Sequence, residues 1–553
     1  MTAKRTTRRG FLKALGMTAA ALAAPRWLAA AAKAARPSIV LMMVDDMGYS
    51  DIGCYGGEVR TPNLDRLAAG GLRFTQFYNT ARCCPTRACL MTGLYPHQAG
   101  VGHMMGDSGT DGYRGDLNDR CATIPEVLKP AGYGTYMCGK WHVTRFTGPD
   151  GPKHNWPRQR GYDRYFGTIT GAGSFWTPAT LTDDNTQLSA PEGFYYTDAI
   201  SDTAVRFVTE HHKARPGDPF FLYVAYTAPH WPLHARKRDI DKYLGTYTKG
   251  WDAVRAERHR RMIEMGIVKK QWPITPRDEA ATPWEEVDDA KRKDMALRMA
   301  VYAAQIDCVD QGVGRIVAAL KKLGRLDDTL FLFLADNGGC AEGGPWGFER
   351  KKGGELGTDG SFASYGLSWA NASNTPFRRY KHWVHEGGIS TPLIVHWPNR
   401  VKARGELRHQ PGHLIDIMAT CVDVAGAAYP AERNGKAIQP MEGRSLTPAF
   451  ENKPIQREAI FWEHEGNRAV RMGQWKLVAK GRTGPWELYD MDADRTELND
   501  LSAKDPARVK QMAAAWQAYA ERTGVIPWPG SGKKSTKPKG ERKAKKAAKP
   551  AKD

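Results

Sequence analysis

The segment 83–93 (CCPTRACLMTG) places a cysteine, a proline and an arginine at alternating positions ahead of a Thr-Gly pair. The proline suits the first turn of a helix, and Gly93 is typical of a helix end. Cys83 is therefore predicted to lie where a loop enters a helix, beside free N–H groups that favour negative charge. Arg87 follows one turn later, close enough to brace the group at Cys83. The alternative is a buried structural cysteine.

Two pairs of oxygen-bearing side chains each follow an uncharged apolar run. Asp45 and Asp46 come after residues 38–44, and Asp336 and Asn337 come after residues 329–335. Both runs are typical of buried strands in a parallel sheet, whose carboxyl ends bind ligands in open α/β folds. A single pair of this kind is more often a turn or helix cap. Two pairs favour a site for one divalent cation, and oxygen donors suit Ca²⁺ or Mg²⁺ better than zinc.

Four basic residues follow or precede further predicted strands. Lys140 and His142 come after the strand candidate 134–139, and their spacing of two puts both on one side of an extended chain. His230 follows the apolar run 219–225, and Lys381 precedes a Glu-Gly-Gly segment. Taken singly, each lysine is more often a surface charge and each histidine a structural residue.

Together, these motifs closely resemble the signatures of the sulfatase family. The matching segments are Cys-x-Pro-x-Arg at 83–87, Gly-Lys-Trp-His at 139–142, Ala-Pro-His at 228–230, and the lysine ahead of Gly-Gly-Ile at 387–389. The resemblance runs from about residue 37 to 525 and includes the segments 468–476 (RAVRMGQWK) and 487–490 (ELYD). One departure is 389–392 (ISTP), where the family often has Ile-Arg-Val-Pro.

The resemblance implies that Cys83, rather than Cys84, is oxidised after translation to formylglycine (3-oxoalanine), whose hydrate is the nucleophile. It implies that a sulfate ester is hydrolysed to free sulfate and an alcohol through a sulfated formylglycine-hydrate intermediate. It also implies one cation, most often Ca²⁺, with Mg²⁺ as the alternative. The implied ligands are Asp45, Asp46, Asp336 and Asn337.

The family's catalytic roles transfer to matching positions. By resemblance, Arg87 steadies the hydrate and Lys140 bridges it to the sulfate. His142 accepts the proton when sulfate is expelled, and His230 with Lys381 protonates the leaving oxygen. These groups meet the needs of the chemistry, because an anionic ester requires positive charge at its oxygens and a proton for the leaving group.

Three alternative functions follow from the same residues. A phosphonate or phosphodiester hydrolase of the same superfamily keeps the fold and changes the ester. A non-catalytic binder of sulfated glycans keeps the pocket without the modification. A two-zinc phosphatase is disfavoured, because no second His/Asp ligand set is visible. The excursion at 235–290 resembles the arylsulfatase branch, so the expected substrate is an aryl sulfate or a sulfated carbohydrate.

The chain has 553 residues and a formal net charge of +20. Residues 1–36 and 530–553 each contribute +8, leaving a body near +4, so no nucleic-acid partner is expected. Residues 7–13 (TRRGFLK) and the Ala/Leu-rich run to residue 35 match a twin-arginine signal peptide. This predicts the twin-arginine export machinery as a partner, a periplasmic or secreted location, and a formylglycine-generating enzyme that acts before export. The basic tail 529–553 is predicted to be disordered, either solubilising or attaching loosely to acidic polysaccharide.

Alternating strand and helix patterns predict an α/β catalytic domain over residues 36–455. Its large, mostly parallel sheet is expected to be covered by helices on both faces. The segment 235–290 reads as an excursion from the core, and 343–380 as a long active-site loop. Short alternating strands and one helix predict a small antiparallel C-terminal subdomain over 456–528. The nine cysteines form no CxxC pair or Cys/His cluster in sequence, so no zinc site is predicted.

Overall fold

The computed structural model describes residues 36–351 and 353–528. The predicted signal peptide (1–35) and basic tail (529–553) lie outside these residues. Across the described residues, no helix combines the length and apolar character needed to cross a membrane.

Seventeen strands and twelve α-helices make up the described part of the chain. The strands are β1 (Ser38–Val44), β2 (Leu72–Tyr78), β3 (Gly134–Lys140), β4 (Arg164–Thr168), β5 (Leu181–Asp183), β6 (Thr186–Gln187), β7 (Phe220–Ala225), β8 (Thr329–Ala335), β9 (Ser390–His396), β10 (Glu406–Arg408), β11 (Gly412–His413), β12 (Glu432–Arg433), β13 (Lys436–Ala437), β14 (Ile460–His464), β15 (Asn467–Met472), β16 (Trp475–Ala479) and β17 (Glu487–Asp490). The helices are α1 (Pro62–Ala69), α2 (Cys83–Thr92), α3 (Ile124–Leu128), α4 (Tyr196–Ala214), α5 (Lys237–Ile240), α6 (Gly250–Glu264), α7 (Asp289–Lys322), α8 (Gly366–Ser373), α9 (Glu386–Ile389), α10 (Ile415–Ala425), α11 (Thr447–Phe450) and α12 (Pro506–Thr523).

The large sheet has the strand order β10-β2-β9-β8-β1-β7-β3-β4-β5-β6, and β11 also pairs with β2. Its central strands β8, β1, β7, β3 and β4 are parallel, whereas β9 is antiparallel to both β8 and β2. The predicted α/β class with a mostly parallel sheet is confirmed.

β1 shows why the central strands are apolar throughout. Val40 and Met42 face one hydrophobic core, and Ile39 and Leu41 face the other, because successive side chains alternate between sheet faces. Helices α1, α4 and α7 pack in the first core, and α2, α3, α10 and α12 in the second. Both faces of the sheet are therefore covered by helices, and neither tolerates a charge.

The C-terminal subdomain is a four-stranded antiparallel sheet, β14-β15-β16-β17, with α12 packed on it, as predicted. A buried ion network joins this subdomain to α9. The Nζ atom of Lys476 lies 2.8 Å from carboxylate oxygens of both Glu386 and Glu497, and Arg495 Nε lies 3.1 Å from Glu386. All four side chains are at most 1% exposed.

Several elements differ from the sequence expectations. Strand β2 and helix α4 were not predicted, and β2 has a register shift between Phe74 and Phe77 that breaks its alternation. The segment 235–290 does not stand away from the core. It carries α5 and α6, and Trp251 is fully buried with its ring centroid 4.6 Å from Trp284.

Candidate active site

The candidate site lies at the edge where the central parallel strands end. In register, Val44 of β1 pairs with Ala335 of β8, and Ala225 of β7 pairs with both Met43 of β1 and Gly139 of β3. The segments that follow these four strands therefore emerge side by side. They carry both acidic pairs, His142 and His230, and Lys140 is the last residue of β3.

The direction of β9 brings the remaining candidates to the same edge. Strands β2 and β8 run the same way, because both are antiparallel to β9. Cys83 follows β2 and so emerges where β1 and β8 end. Lys381 precedes β9, which starts at that edge because it runs in the opposite direction.

Cys83 is the first residue of α2, as its proline spacing predicts. Residue Arg82 ahead of it is extended, and Gly93 ends the helix in the left-handed conformation at φ 69°. The Thr86 hydroxyl donates a 2.7 Å hydrogen bond to the Asp336 carbonyl, which fastens the first turn to the end of β8. Cys83 is only 2% exposed.

The two adjacent thiols have different environments. A hydrogen bond with Cys84 holds the pKa of Cys83 well below its usual range, and Lys140 and His142 add to this effect against the influence of burial. Burial raises the pKa of Cys84 well above its usual range. The sulfur of Cys84 lies 3.2 Å from His142 Nε2 and 3.5 Å from the Met104 sulfur. His142 is thus beside both thiols.

The two acidic pairs form a buried set of oxygen atoms that fits a hard cation. Asp45, Asp46, Asp336 and Asn337 are each at most 1% exposed. Asp45 Oδ1 and Asn337 Oδ1 are buried without a hydrogen-bond partner among the described residues. Orphaned buried oxygens in a group of three carboxylates call for a positive ion, and their donor type is the one that Ca²⁺ and Mg²⁺ use.

Arg87 and Lys140 carry the positive charge next to these oxygens. Arg87 Nη2 donates hydrogen bonds to Asp45 Oδ2 at 3.1 Å and to Asp336 Oδ2 at 2.8 Å, and Lys140 Nζ also contacts Asp45 Oδ2. Burial alone would raise the pKa of Asp45, but Lys140, His230 and Arg87 hold it at about 2. Burial and the charge of Asp45 raise the pKa of Asp336 well above its usual range.

A second group of contacts links Asp46, Lys381 and His230. Lys381 Nζ donates to Asp46 Oδ2 at 3.0 Å and lies 3.3 Å from His230 Nε2. Nδ1 of His230 lies 2.6 Å from the Trp231 carbonyl, so it carries the proton there and leaves Nε2 as the acceptor. Burial lowers the pKa of His230. Asp46 opposes the effect of burial and keeps the pKa of Lys381 well above its usual range, so Lys381 stays protonated.

Backbone conformation at the site is unusual for non-glycine residues. Asp46 and His142 both adopt the left-handed region, at φ 62° and 55°. Such strain concentrates at functional sites, where surrounding contacts hold it in place. A Cβ atom at Gly171 would come within 2.2 Å of His142 Cε1, so a glycine there leaves room for the imidazole ring.

The structure adds residues on the rim that sequence analysis missed. Arg82 lies next to Cys83 and pairs with Glu342 at 3.1 Å, and Glu342 accepts a 2.8 Å hydrogen bond from Trp231 Nε1. His382 follows Lys381, adopts φ 88° and contacts Arg82. Their adjacency to motif residues was the available signal.

Family models and known proteins match most of this chain. The Sulfatase family model matches residues 37–427, and the model described as N-sulphoglucosamine sulphohydrolase, C-terminal, matches residues 378–519. An uncharacterized sulfatase of Schizosaccharomyces pombe is 32% identical, covering 90% of this chain and 96% of its own length. An arylsulfatase of Klebsiella aerogenes is 34% identical, covering 78% of this chain and 95% of its own length.

Solved structures extend the comparison to three dimensions. The crystal structure of Ps i-CgsB in complex with k-i-k-neocarrahexaose matches with a TM-score of 0.64 and 27% identity. That match covers 88% of this chain and 93% of the other.

Proposed function

The chain belongs to the sulfatase family and hydrolyses sulfate esters, and we propose that the site around Cys83 performs this hydrolysis. The observation that supports this location is the meeting of the α2 N-terminus with both acidic pairs, two lysines and two histidines at one sheet edge. Such a site offers a nucleophile, positive charge and proton carriers together, which ester cleavage requires.

Asp45, Asp46, Asp336 and Asn337 would hold one divalent cation, with Ca²⁺ favoured and Mg²⁺ as the alternative. When bound, the cation would polarise the sulfuryl oxygens and offset their negative charge. The unpartnered oxygens of Asp45 and Asn337 support this assignment.

Cys83 is the residue that we assign to conversion into formylglycine, whose hydrate supplies the attacking hydroxyl. Its place as the first residue of α2, its depressed pKa and the nearby Lys140 and His142 support Cys83 over Cys84. Conversion of Cys84 would instead put the new group against the Met104 sulfur.

The remaining residues receive roles that follow from their contacts. Arg87 orients Asp45 and Asp336 through one guanidinium group, and its positive charge interacts with Cys83. Lys140 supplies a second positive charge at the Asp45 oxygen that Arg87 also contacts, Oδ2. Burial lowers the pKa of His142 to about 4, so near neutrality its ring is free to accept a proton.

The leaving oxygen receives its proton from the pair formed by Lys381 and His230. Lys381 remains protonated beside Asp46, and its 3.3 Å contact with the unprotonated Nε2 of His230 orients the ammonium group that donates the proton. Such proton transfer contributes roughly 10²–10⁴-fold to rates.

The substrate class that we propose is a sulfated saccharide, with aryl sulfates as simple test compounds. Support comes from the similarity to Ps i-CgsB, whose crystal structure contains k-i-k-neocarrahexaose, and to the Klebsiella arylsulfatase. Residues 7–13 support export of the enzyme by the twin-arginine route after a formylglycine-generating enzyme has acted in the cytoplasm.

The test compares Cys83→Ala with Cys89→Ala, a buried cysteine in the same helix. We expect Cys83→Ala to abolish turnover of 4-nitrophenyl sulfate while Cys89→Ala retains it. Mass spectrometry of the wild-type peptide spanning residue 83 should show an aldehyde in place of the thiol. Substantial turnover by Cys83→Ala, or a thiol at residue 83 in fully active enzyme, would exclude this assignment.

A further inference from the structure

Three histidines and a glutamate lie together where the predicted catalytic domain (36–455) contacts the C-terminal sheet. None of them has a role in the hydrolysis proposed above. This histidine cluster consists of His103, His382, His464 and Glu465. The ring centroids of His103 and His382 lie 5.5 and 6.0 Å from that of His464. Glu465 Oε1 lies 3.6 Å from His103 Nδ1 and 3.7 Å from His464 Nε2, and Oε2 lies 3.1 Å from His382 Nδ1.

His464 provides the strongest sign that the cluster binds something. Its side chain is fully buried, and neither of its ring nitrogens has a hydrogen-bond partner among the described residues. A buried polar group without a partner is destabilising, so native proteins rarely leave one unsatisfied. Ligand atoms of His103, His464 and Glu465 all lie within 4.8 Å of one another, a separation from which small side-chain shifts would close a metal site.

The donor chemistry selects the class of ion. Imidazole nitrogens with one carboxylate suit zinc and related divalent transition metals, whereas Ca²⁺ and Mg²⁺ prefer all-oxygen sites. The cluster therefore differs in kind from the oxygen-rich site at Asp45. Arg82 faces the cluster and its Nη1 lies 3.1 Å from His382 Nδ1, so His382 can bind a metal ion only if this contact opens. Glu342 offsets the charge of Arg82 at 3.1 Å, which leaves Glu465 to balance a metal ion.

We propose that His103, His464 and Glu465 bind a divalent transition metal ion of the zinc class, with His382 as the fourth ligand. The site goes beyond the proposed function and does not depend on it. The metal ion would tie the turn after β14 to the loop carrying His103 and to the residue next to Lys381. It would thereby hold the C-terminal subdomain against the rim of the active site.

Cobalt substitution of the full-length protein tests this proposal. Protein dialysed against a chelator is given excess Ca²⁺ to fill the oxygen-rich site and is then titrated with Co²⁺. We expect one equivalent of Co²⁺ to produce the intense visible bands of four-coordinate cobalt, which Zn²⁺ then removes. Octahedral cobalt on oxygen ligands absorbs only weakly, so the two sites are distinguishable.

Substitutions at His464 and Glu465 test whether the cobalt spectrum comes from the histidine cluster. His464→Gln and Glu465→Gln should each weaken Co²⁺ binding by more than about tenfold, since even outer-shell partners contribute that much. The matched control is His154→Gln, which alters a histidine paired with Asp116 at 2.8 Å outside any such cluster, and it should leave binding unchanged. Glu465 is partly exposed, so Glu465→Gln decides the matter if His464→Gln fails to fold.

Two results would overturn the proposal. One is a folded wild-type protein that yields no four-coordinate cobalt spectrum. The other is a spectrum that persists at full affinity in both Glu465→Gln and His464→Gln, since the ion would then be bound elsewhere.

Discussion

At the residue scale, the contacts of Lys381 and His230 indicate which of the two could donate a proton to the leaving oxygen. The ammonium group lies between Asp46 and His230, and His230 already donates its Nδ1 proton to the Trp231 carbonyl. Lys381 is therefore the group of this pair that is positively charged near neutrality, and proton donation to the leaving oxygen is the role that we propose for it. Sequence identified both residues from motifs, but only the structure gives the tautomer of His230, because it depends on the local backbone carbonyl.

Lys381→Met should slow hydrolysis in a way that depends on the leaving group. Alkyl sulfates and sulfates of weakly acidic phenols need a proton on the departing oxygen, so we expect a loss of roughly 10²–10⁴-fold in kcat. Activated 4-nitrophenyl sulfate needs little protonation and should lose much less. The measurement is kcat for a series of sulfate esters whose leaving groups differ in acidity. Lys402→Met, which alters an exposed lysine, is the control. A uniform loss across the series would show that Lys381 only positions other groups.

At the element scale, the turn after β4 and the end of β3 together position the ring of His142, the proposed proton acceptor. His142 follows β3 with a left-handed backbone, and Gly171 follows β4, its parallel neighbour. The absent side chain at Gly171 is what allows the ring to lie where it does. Sequence analysis identified Lys140 and His142 but gave no importance to Gly171, because the close approach depends on the pairing of two strands.

Gly171→Ala should displace the His142 ring, since the new methyl group would overlap it. We expect a fall in kcat of about tenfold or more with the fold preserved, because general-base alignment is lost. Gly173→Ala lies in the same loop, where a Cβ has no neighbour closer than 3.9 Å, and should keep wild-type activity. Steady-state kinetics with far-UV circular dichroism would check both. Equal activity of the two variants would contradict the packing argument.

The last residue of β9 gives the protein a predicted sensitivity to acid. Burial, with a smaller contribution from Arg404, lowers the pKa of His396 from 6.5 to about 4. Below pH 6.5, His396 binds a proton in the unfolded chain but stays largely unprotonated in the folded chain. The contribution of His396 to stability therefore falls as the pH drops from 6.5 to about 4.

His396→Gln should remove that dependence. Between pH 7 and pH 5, the free energy of unfolding of the wild type should fall by about 2 kcal/mol more than that of the variant. Urea denaturation at both pH values measures the difference. Parallel pH profiles would show that His396 is protonated equally in the folded and unfolded chains.

At the scale of the whole molecule, the catalytic body and the C-terminal subdomain share a buried ion network. Glu386 opens the short helix between Lys381 and β9, and Lys476 reaches it from β16. Ser390, at the departure from the family pattern, accepts a hydrogen bond from Arg495 and donates one to Glu386. The network thus brings an arginine from the C-terminal subdomain to this position.

Lys476→Met would leave Glu386 and Glu497 buried without their shared cation. Breaking a buried ion pair in this way costs about 3–5 kcal/mol, so we expect a clear drop in the urea midpoint and in Tm. The control is Lys436→Met, whose side chain is 64% exposed beside Asp119 and whose loss should change stability by about 0.5 kcal/mol or less. Similar stability of both variants would mean that the network is not a structural link.

Two features of the sequence, its apolar runs and its short motifs, account for the parts of the fold and of the candidate site that could be predicted. Uncharged runs such as 38–44 predicted the central strands, and short motifs predicted the residues at their ends. Strand β2 was missed because its register shift breaks the alternation, and the segment 235–290 was misjudged because its buried tryptophans lie among charged residues. The histidine cluster was invisible, since His103, His382 and His464 are brought together only by tertiary packing.

The near-complete burial of Cys83 has a consequence for how the protein is made. An oxidising enzyme needs direct access to the sulfur, and in the finished protein that sulfur is 2% exposed and held at the root of a helix. The thiol is therefore accessible only on the nascent or still extended chain. Under the proposed conversion to formylglycine, Cys83 would have to be oxidised before the chain folds around it, and a molecule that folds too early would keep its sulfur.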